Sequence, residues 1–203
     1  MIHLLQSAMP TIGLLATVLD PIRSLDAGVV RDLLELGQNH IWLALFFYFC
    51  AQHLTIFLVL PLFALWRAPE AAAWRHGHRK AVIMAAFTIL SSLAVKAAIG
   101  FLWTRPRPFV SHLDIIPLPA QVDPASFPSG HALVAFSIAW SIWFSGHRKL
   151  GAWLLAGATL VAIGRVGIGV HYPSDIIAGA IVAFVMAWIL HREGSSIKKY
   201  LPE

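Results

Sequence analysis

Charge is what this chain of 203 residues has least of: Asp, Glu, Lys and Arg make up 12% of it, against 58% apolar residues. A soluble domain carries roughly 25% charged residues, so an ordinary soluble protein is excluded. Cysteine is nearly absent. Cys50, alone in an apolar run, rules out an internal disulfide and leaves the redox compartment open. The first ten residues lack a basic stretch followed by an apolar segment, so no cleavable signal peptide is expected. No basic stripe with interleaved aromatics occurs. The net charge of +5 is therefore read as membrane topology and contact with anionic headgroups, not as nucleic-acid binding. Internal repeats and low-complexity tracts are missing too, and 1–203 reads as one domain with its core at about 80–190.

What is present is a series of long apolar runs. Five of them approach the roughly 20 helical residues that cross a bilayer core: about 41–66, 80–103, 130–144, 150–170 and 175–190. The third and fifth are short, and each begins inside a polar motif, so their helices are expected to start in a recessed pocket. Residues 11–19 are too short to span. Residues 1–40 read as an interfacial helical region ending in an amphipathic pair of turns at 29–36, with a sixth span as the alternative. The expected fold class is all-α, a polytopic transmembrane helix bundle. Lysine and arginine set its orientation. Arg67, Arg75, Arg79, Lys80, Arg148, Lys149, Arg192, Lys198 and Lys199 fall on one side, and Arg23, Arg31, Arg105 and Arg107 on the other. The richer side, with the C-terminus, is expected in the cytoplasm and the 104–129 loop outside.

Ionisable residues are costly at membrane depth, so those near the spans are candidates for function. They collect on the expected outer side in three groups. Lys96 and Thr104-Arg105-Pro106-Arg107-Pro108-Phe109 put two guanidinium forks, suited to phosphate oxygens, in a proline-spaced segment; anchoring to lipid headgroups is the plainer alternative. Ser126-Phe127-Pro128-Ser129-Gly130-His131 precedes an apolar run and reads as a helix start, where free N–H groups and the dipole attract anions; a plain N-cap with an incidental histidine is the alternative. Arg165, His171 and Asp175 form the third group. A carboxylate four residues after an imidazole can orient it as base or nucleophile, or simply bond to it structurally. Gly164, Gly167 and Gly169 imitate a nucleotide loop, but no strand precedes them and that reading is rejected. Phosphoryl transfer requires the assembled set: charge neutralisation, a nucleophile, an orienter and an acid.

At these residues the chain resembles the type 2 phosphatidic acid phosphatase (PAP2) superfamily, whose motifs are Lys-x6-Arg-Pro, Pro-Ser-Gly-His and Ser-Arg-x5-His-x3-Asp. The second is matched in full by Pro128, Ser129, Gly130 and His131. The third is matched in spacing by Arg165, His171 and Asp175, with Gly164 in place of the serine. In the first, Arg107 fits best, but Gly100 occupies the lysine position and Lys96 lies one helical turn earlier. The wording around 105–110 and 126–131 is most like the bacitracin-resistance undecaprenyl-diphosphate phosphatases.

The resemblance implies a hydrolase of a lipid diphosphate in the bacterial cell membrane, acting in cell-wall (peptidoglycan) synthesis, with no cofactor. By position, His171 is the nucleophile that forms a phosphohistidine, Asp175 its orienter and His131 the acid and base. Arg105, Arg107, Arg165, Ser129, Gly130 and Lys96 are the phosphate-holding set. No metal is expected; a metal alternative would draw on His112, Asp114, His131, His171 and Asp175. Further alternatives are a phosphatase of phosphatidic acid, phosphatidylglycerol phosphate or lipid A phosphate, a lipid-binding or transport subunit, and an intramembrane serine protease built on Ser129. His40 and His53 read as packing residues, Asp114 and Asp123 as loop residues, and Trp66, Trp103 and Trp143 as interfacial anchors. The oligomeric state is left open.

Overall fold

A computed structural model describes residues 2–67, 72–118 and 125–197; Asp123, Lys198 and Lys199 lie outside them. The helices run in the order α1 (Ile2–Asn39), α2 (Ile41–Gln52), α3 (Leu54–Phe57), α4 (Leu60–Arg67), α5 (Ala72–Leu102), α6 (Pro108–Ser111), α7 (Gly130–Phe144), α8 (Arg148–Gly167) and α9 (Pro173–Ile197). Among the described residues the only extended pairing is an isolated antiparallel bridge between Pro106 and Ala125. The chain is an all-α bundle of membrane helices.

Gly77–Leu102, Arg148–Gly167 and Pro173–Glu193 are long and apolar enough to cross a bilayer. The expected span 41–66 is a broken one: Ile41–Gln52 and Leu54–Arg67 meet at 50°. That bend falls at His53; a second interruption, at 58–59, is written in Pro61, which has no N–H for the carbonyl of Phe57 and crowds it with its ring. The chain accordingly leaves the helix at Leu58 and re-enters it at Leu60. α7 has 15 residues, about 22 Å of helix against a hydrocarbon layer of about 30 Å.

α7 lies at the centre. Ala132, Leu133, Ala135, Ile138, Ala139 and Ile142 are almost wholly buried, enclosed by α5, α8 and α9. Large apolar side chains face outward instead, among them Phe87 and Leu90 of α5, Trp153 of α8 and Ile181 of α9, as a lipid solvent permits. Small residues set the spacing between helices. A side-chain carbon on Gly164 would lie 2.7 Å from the Ala51 nitrogen and the Phe47 oxygen, and one on Gly167 2.5 Å from the Phe47 ring. Those two glycines are where α8 crosses α2, which explains both the nucleotide-loop look of this stretch and the missing serine at 164. Two buried hydroxyl pairs tie α5 to α7: Ser141 donates to Thr88 Oγ1 at 2.8 Å and Ser137 to Ser92 Oγ at 3.2 Å.

At the N-terminus the expected helical region 1–40 is present as a single element. α1 is one continuous helix, and its Ala27, Val30 and Leu34 are buried against Ile115, Val166, Tyr172 and Ile176. It covers the same end of the bundle at which the three polar groups collect.

Candidate active site

Backbone pairing joins the first two groups. Besides the Pro106–Ala125 bridge, the Ser126 N–H donates to the Arg105 carbonyl at 2.8 Å. Ser129 is the N-cap of α7 and holds an extended conformation. The N–H groups of the first helical turn that follows have no intrahelical acceptor and carry the positive end of the dipole.

The third group is shaped by a turn. α8 ends at Gly167, and Gly169 takes a φ of +76°, a left-handed conformation that a side chain would oppose. That turn points His171 back into the bundle, and Asp175 follows in the first turn of α9. The Ser129 N–H donates to the Asp175 carbonyl at 3.1 Å, which locks the starts of α7 and α9 together.

His171 and Asp175 are buried to 3% and 0% exposure. Arg107 Nη1 donates to the Val170 carbonyl at 2.9 Å and lies 3.3 Å from His171 Nε2. A guanidinium has only donors, so Nε2 presents its lone pair and the proton resides on Nδ1. Nδ1 lies 3.3 Å from Ser126 Oγ and 3.6 Å from Asp175 Oδ2. Burial, aided by the charges of Arg165 and Arg107 and opposed by Asp175, pushes the His171 imidazole down to about 4. The ring is therefore neutral at physiological pH, as a nitrogen nucleophile must be.

The same two guanidiniums, Arg165 and Arg107, are the charges felt by half-buried His131 in the first turn of α7. Arg165 is 2% exposed and Ser129 0%; among the described residues Arg165 Nε and Ser129 Oγ are buried without a hydrogen-bond partner. Unsatisfied buried donors are costly, and here they flank a neutral imidazole lone pair and a helix N-terminus. Lys96 completes the cluster. A side-chain carbon on Gly130 would lie 3.3 Å from Lys96 Cε, so the early-placed lysine still reaches the start of α7. Two guanidiniums, an ammonium, a hydroxyl and helix N–H groups thus gather around two imidazoles, an array of positive charge and donors whose chemistry suits a tetrahedral dianion.

Arg105 stands apart from this array. Its Nη1 donates to Asp175 Oδ1 at 2.9 Å and to Ser174 Oγ at 2.6 Å, its Nη2 to Asp26 Oδ2 at 2.8 Å, and the guanidinium stacks 3.9 Å above the Tyr172 ring. Its donors are engaged by two carboxylates behind His171. Asp26 also accepts from the Ser174 N–H at 3.0 Å and from the Ser174 hydroxyl. A hollow of about 830 Å³ lies on the α1 side of this network, lined by Arg23, Asp26, Trp103, Arg105, Phe127 and Tyr172 among others, and neither His131 nor His171 borders it. His112 and Asp114 are held elsewhere, by Arg31: its Nε donates to Asp114 Oδ2 at 2.7 Å and its Nη2 lies 3.3 Å from His112 Nδ1. That bond holds the Asp114 carboxyl below the usual carboxylate range. Among the described residues no three His, Cys, Asp or Glu side chains converge as a metal site. Sequence reasoning missed Asp26 and Ser174, and it named Ser126 within the second group without giving it a role. Asp26 left one faint signal, a lone acid on an otherwise apolar helical face.

The profile of the PAP2 superfamily matches residues 81–195, and the chain belongs to that superfamily of membrane lipid phosphatases. Among curated proteins it is similar to the undecaprenyl-diphosphatase BcrC of Bacillus subtilis, 28% identical over 75% of this chain and 76% of that one. It is 31% identical to the bacitracin transport permease protein BcrC of Bacillus licheniformis, over 80% of this chain and 77% of the relative. Its fold is that of a solved PAP2-type phosphatidylglycerolphosphate phosphatase from Bacillus subtilis, with a TM-score of 0.57, 21% identity, and coverage of 96% of this chain and 98% of that one.

Proposed function

We propose that the chain removes the terminal phosphate of a polyprenyl diphosphate, undecaprenyl diphosphate in a bacterial membrane, giving the lipid monophosphate and inorganic phosphate. The observation that carries the reaction type is the orientation of His171, with Nδ1 backed by Ser126 and Asp175 and the Nε2 lone pair facing Arg107. His171 Nε2 attacks the terminal phosphorus while Arg107, Arg165, Ser129, the α7 N–H groups and Lys96 hold the phosphate oxygens. The bond to the bridging oxygen breaks, and that oxygen leaves on the lipid monophosphate with a proton from His131, which enters the step as the imidazolium once the substrate's negative charge lies beside it. His131, now neutral, takes a proton from water. The resulting hydroxide attacks the phosphohistidine, the N–P bond breaks and phosphate departs. Asp175 supports the positive charge of the phosphoimidazole throughout.

The substrate assignment is supported by the name of the Bacillus subtilis relative, an undecaprenyl-diphosphatase; the phosphatidylglycerolphosphate phosphatase that shares the fold makes a glycerophospholipid phosphate the second choice. Purified protein should release phosphate from undecaprenyl diphosphate faster than from phosphatidic acid or phosphatidylglycerol phosphate. The reverse order would overturn the substrate, and no release from any of them would overturn the reaction. His171→Ala should abolish turnover. His131→Ala should let labelled phosphate accumulate on the protein, because hydrolysis of the intermediate loses its base.

A further inference from the structure

We infer that Ser126 is a positioning residue for the nucleophile: its hydroxyl, rather than the Asp175 carboxylate, is the direct acceptor of the His171 Nδ1 proton and transmits the pull of Asp175 to the ring. This rests on the proposed role of His171 and adds a residue that lies outside the three motifs.

The geometry is asymmetric. Nδ1 lies 3.3 Å from Ser126 Oγ but 3.6 Å from Asp175 Oδ2, and the second distance is beyond a hydrogen bond. Ser126 donates its single hydroxyl proton to Asp175 Oδ2. Toward His171 it has only lone pairs left, so it can only accept. The serine therefore demands a protonated Nδ1 on one side of the ring, and Arg107 demands an unprotonated Nε2 on the other. The two contacts act jointly to hold one tautomer, and neither holds it alone.

Asp175 is itself turned toward other donors. Oδ1 accepts from Arg105 and Oδ2 from the Tyr172 N–H at 2.9 Å, which leaves the carboxylate charged but held off the imidazole. Ser126 is 1% exposed, its backbone N–H is tied to the Arg105 carbonyl, and its hydroxyl is oriented by the bond it donates to Asp175. The segment that caps the anion-binding helix at Ser129 thus also supports, three residues earlier, the nucleophile of a distant motif.

The tautomer of His171 can be read without turnover, from the nitrogen NMR signals of histidine-labelled protein in detergent, assigned by difference against His171→Gln. Wild type should show Nδ1–H alone, and Ser126→Ala a mixture of the two neutral forms. Unchanged signals in Ser126→Ala would overturn the inference. In turnover, Ser126→Ala should lower kcat about 10–100-fold, as loss of a group that orients a working histidine does, while vanadate inhibits as well as before and Ser126→Thr recovers most of the rate. Combined with Asp175→Asn, Ser126→Ala should slow the enzyme little further, because both cut one chain of contacts. Multiplying effects, or vanadate affinity falling in step with kcat, would reduce Ser126 to a packing role. If Ser126→Ala does not accumulate in the membrane, Ser126→Cys, with a weak sulfur acceptor, carries the same expectations. A wild type inactive on every lipid phosphate would overturn the proposed reaction and leave the tautomer result standing.

Discussion

Neutrality of His171 has a consequence for pH. An unperturbed imidazole titrates near 6.5, whereas burial and two nearby guanidiniums hold this one at about 4. A depressed value means the ring stays unprotonated, and nucleophilic, until the pH falls through about 4. The acid limb of kcat/KM assigned to His171 should lie there rather than near 6.5; a limb near 6.5 that disappears in His171→Ala would contradict the burial argument. Lys96 and Gly130 show how much of the site was readable residue by residue. Pro128, Ser129, Gly130 and His131 marked a helix start because each has a stated reason to be there. The first motif favoured Arg107 but left Arg105 in the same phosphate-holding set; what separates them is a pair of carboxylates, Asp26 and Asp175, 79 and 70 residues from Arg105. Ser126 was equally opaque, since its partners are 45 and 49 residues distant.

Among elements, α7 matched its expected range, 130–144, because a proline and a small pair mark where the apolar run begins. Breaks within an apolar run were not legible, for periodicity is blind to where a helix bends. Span 41–66 shows this. The early position of Lys96 makes sense at this scale. Thr88, Ser92 and Lys96 are four apart on one face of α5, and the first two are hydroxyl-paired to Ser141 and Ser137. That register delivers the lysine to Gly130 at the top of α7. Gly164 offers the sharper test. Restoring the serine of the third motif by Gly164→Ser would drive a side chain into the backbone of α2, against atoms that cannot rotate away. The variant should lose about 1–3 kcal/mol of stability, seen as a lower midpoint of thermal unfolding in detergent, with no gain in activity. An unchanged midpoint would mean that α2 and α8 separate more easily than their packing indicates.

The whole molecule raises the question of sidedness. The excess of lysine and arginine on the links at 67–80 and 146–149 and on the tail argues for a cytoplasmic C-terminus and an extracytoplasmic site. Cys50 is buried, so introduced thiols would report cleanly. In intact cells a membrane-impermeant maleimide should label Leu113→Cys, whose native side chain is 93% exposed, and should reach Lys149→Cys only after lysis. The opposite pattern would place the chemistry in the cytoplasm.

The contact of Asp26 with Arg105 and Ser174 joins the first helix to the reaction centre, though that helix precedes the stretch, 81–195, by which the superfamily is recognised. A fragment holding every motif would therefore be missing one of the two acids that share Arg105, and the stranded guanidinium would fall wholly upon Asp175. Cutting the chain between α1 and α2 should leave catalysis intact while the pieces stay together, and extinguish it when the first piece is washed away.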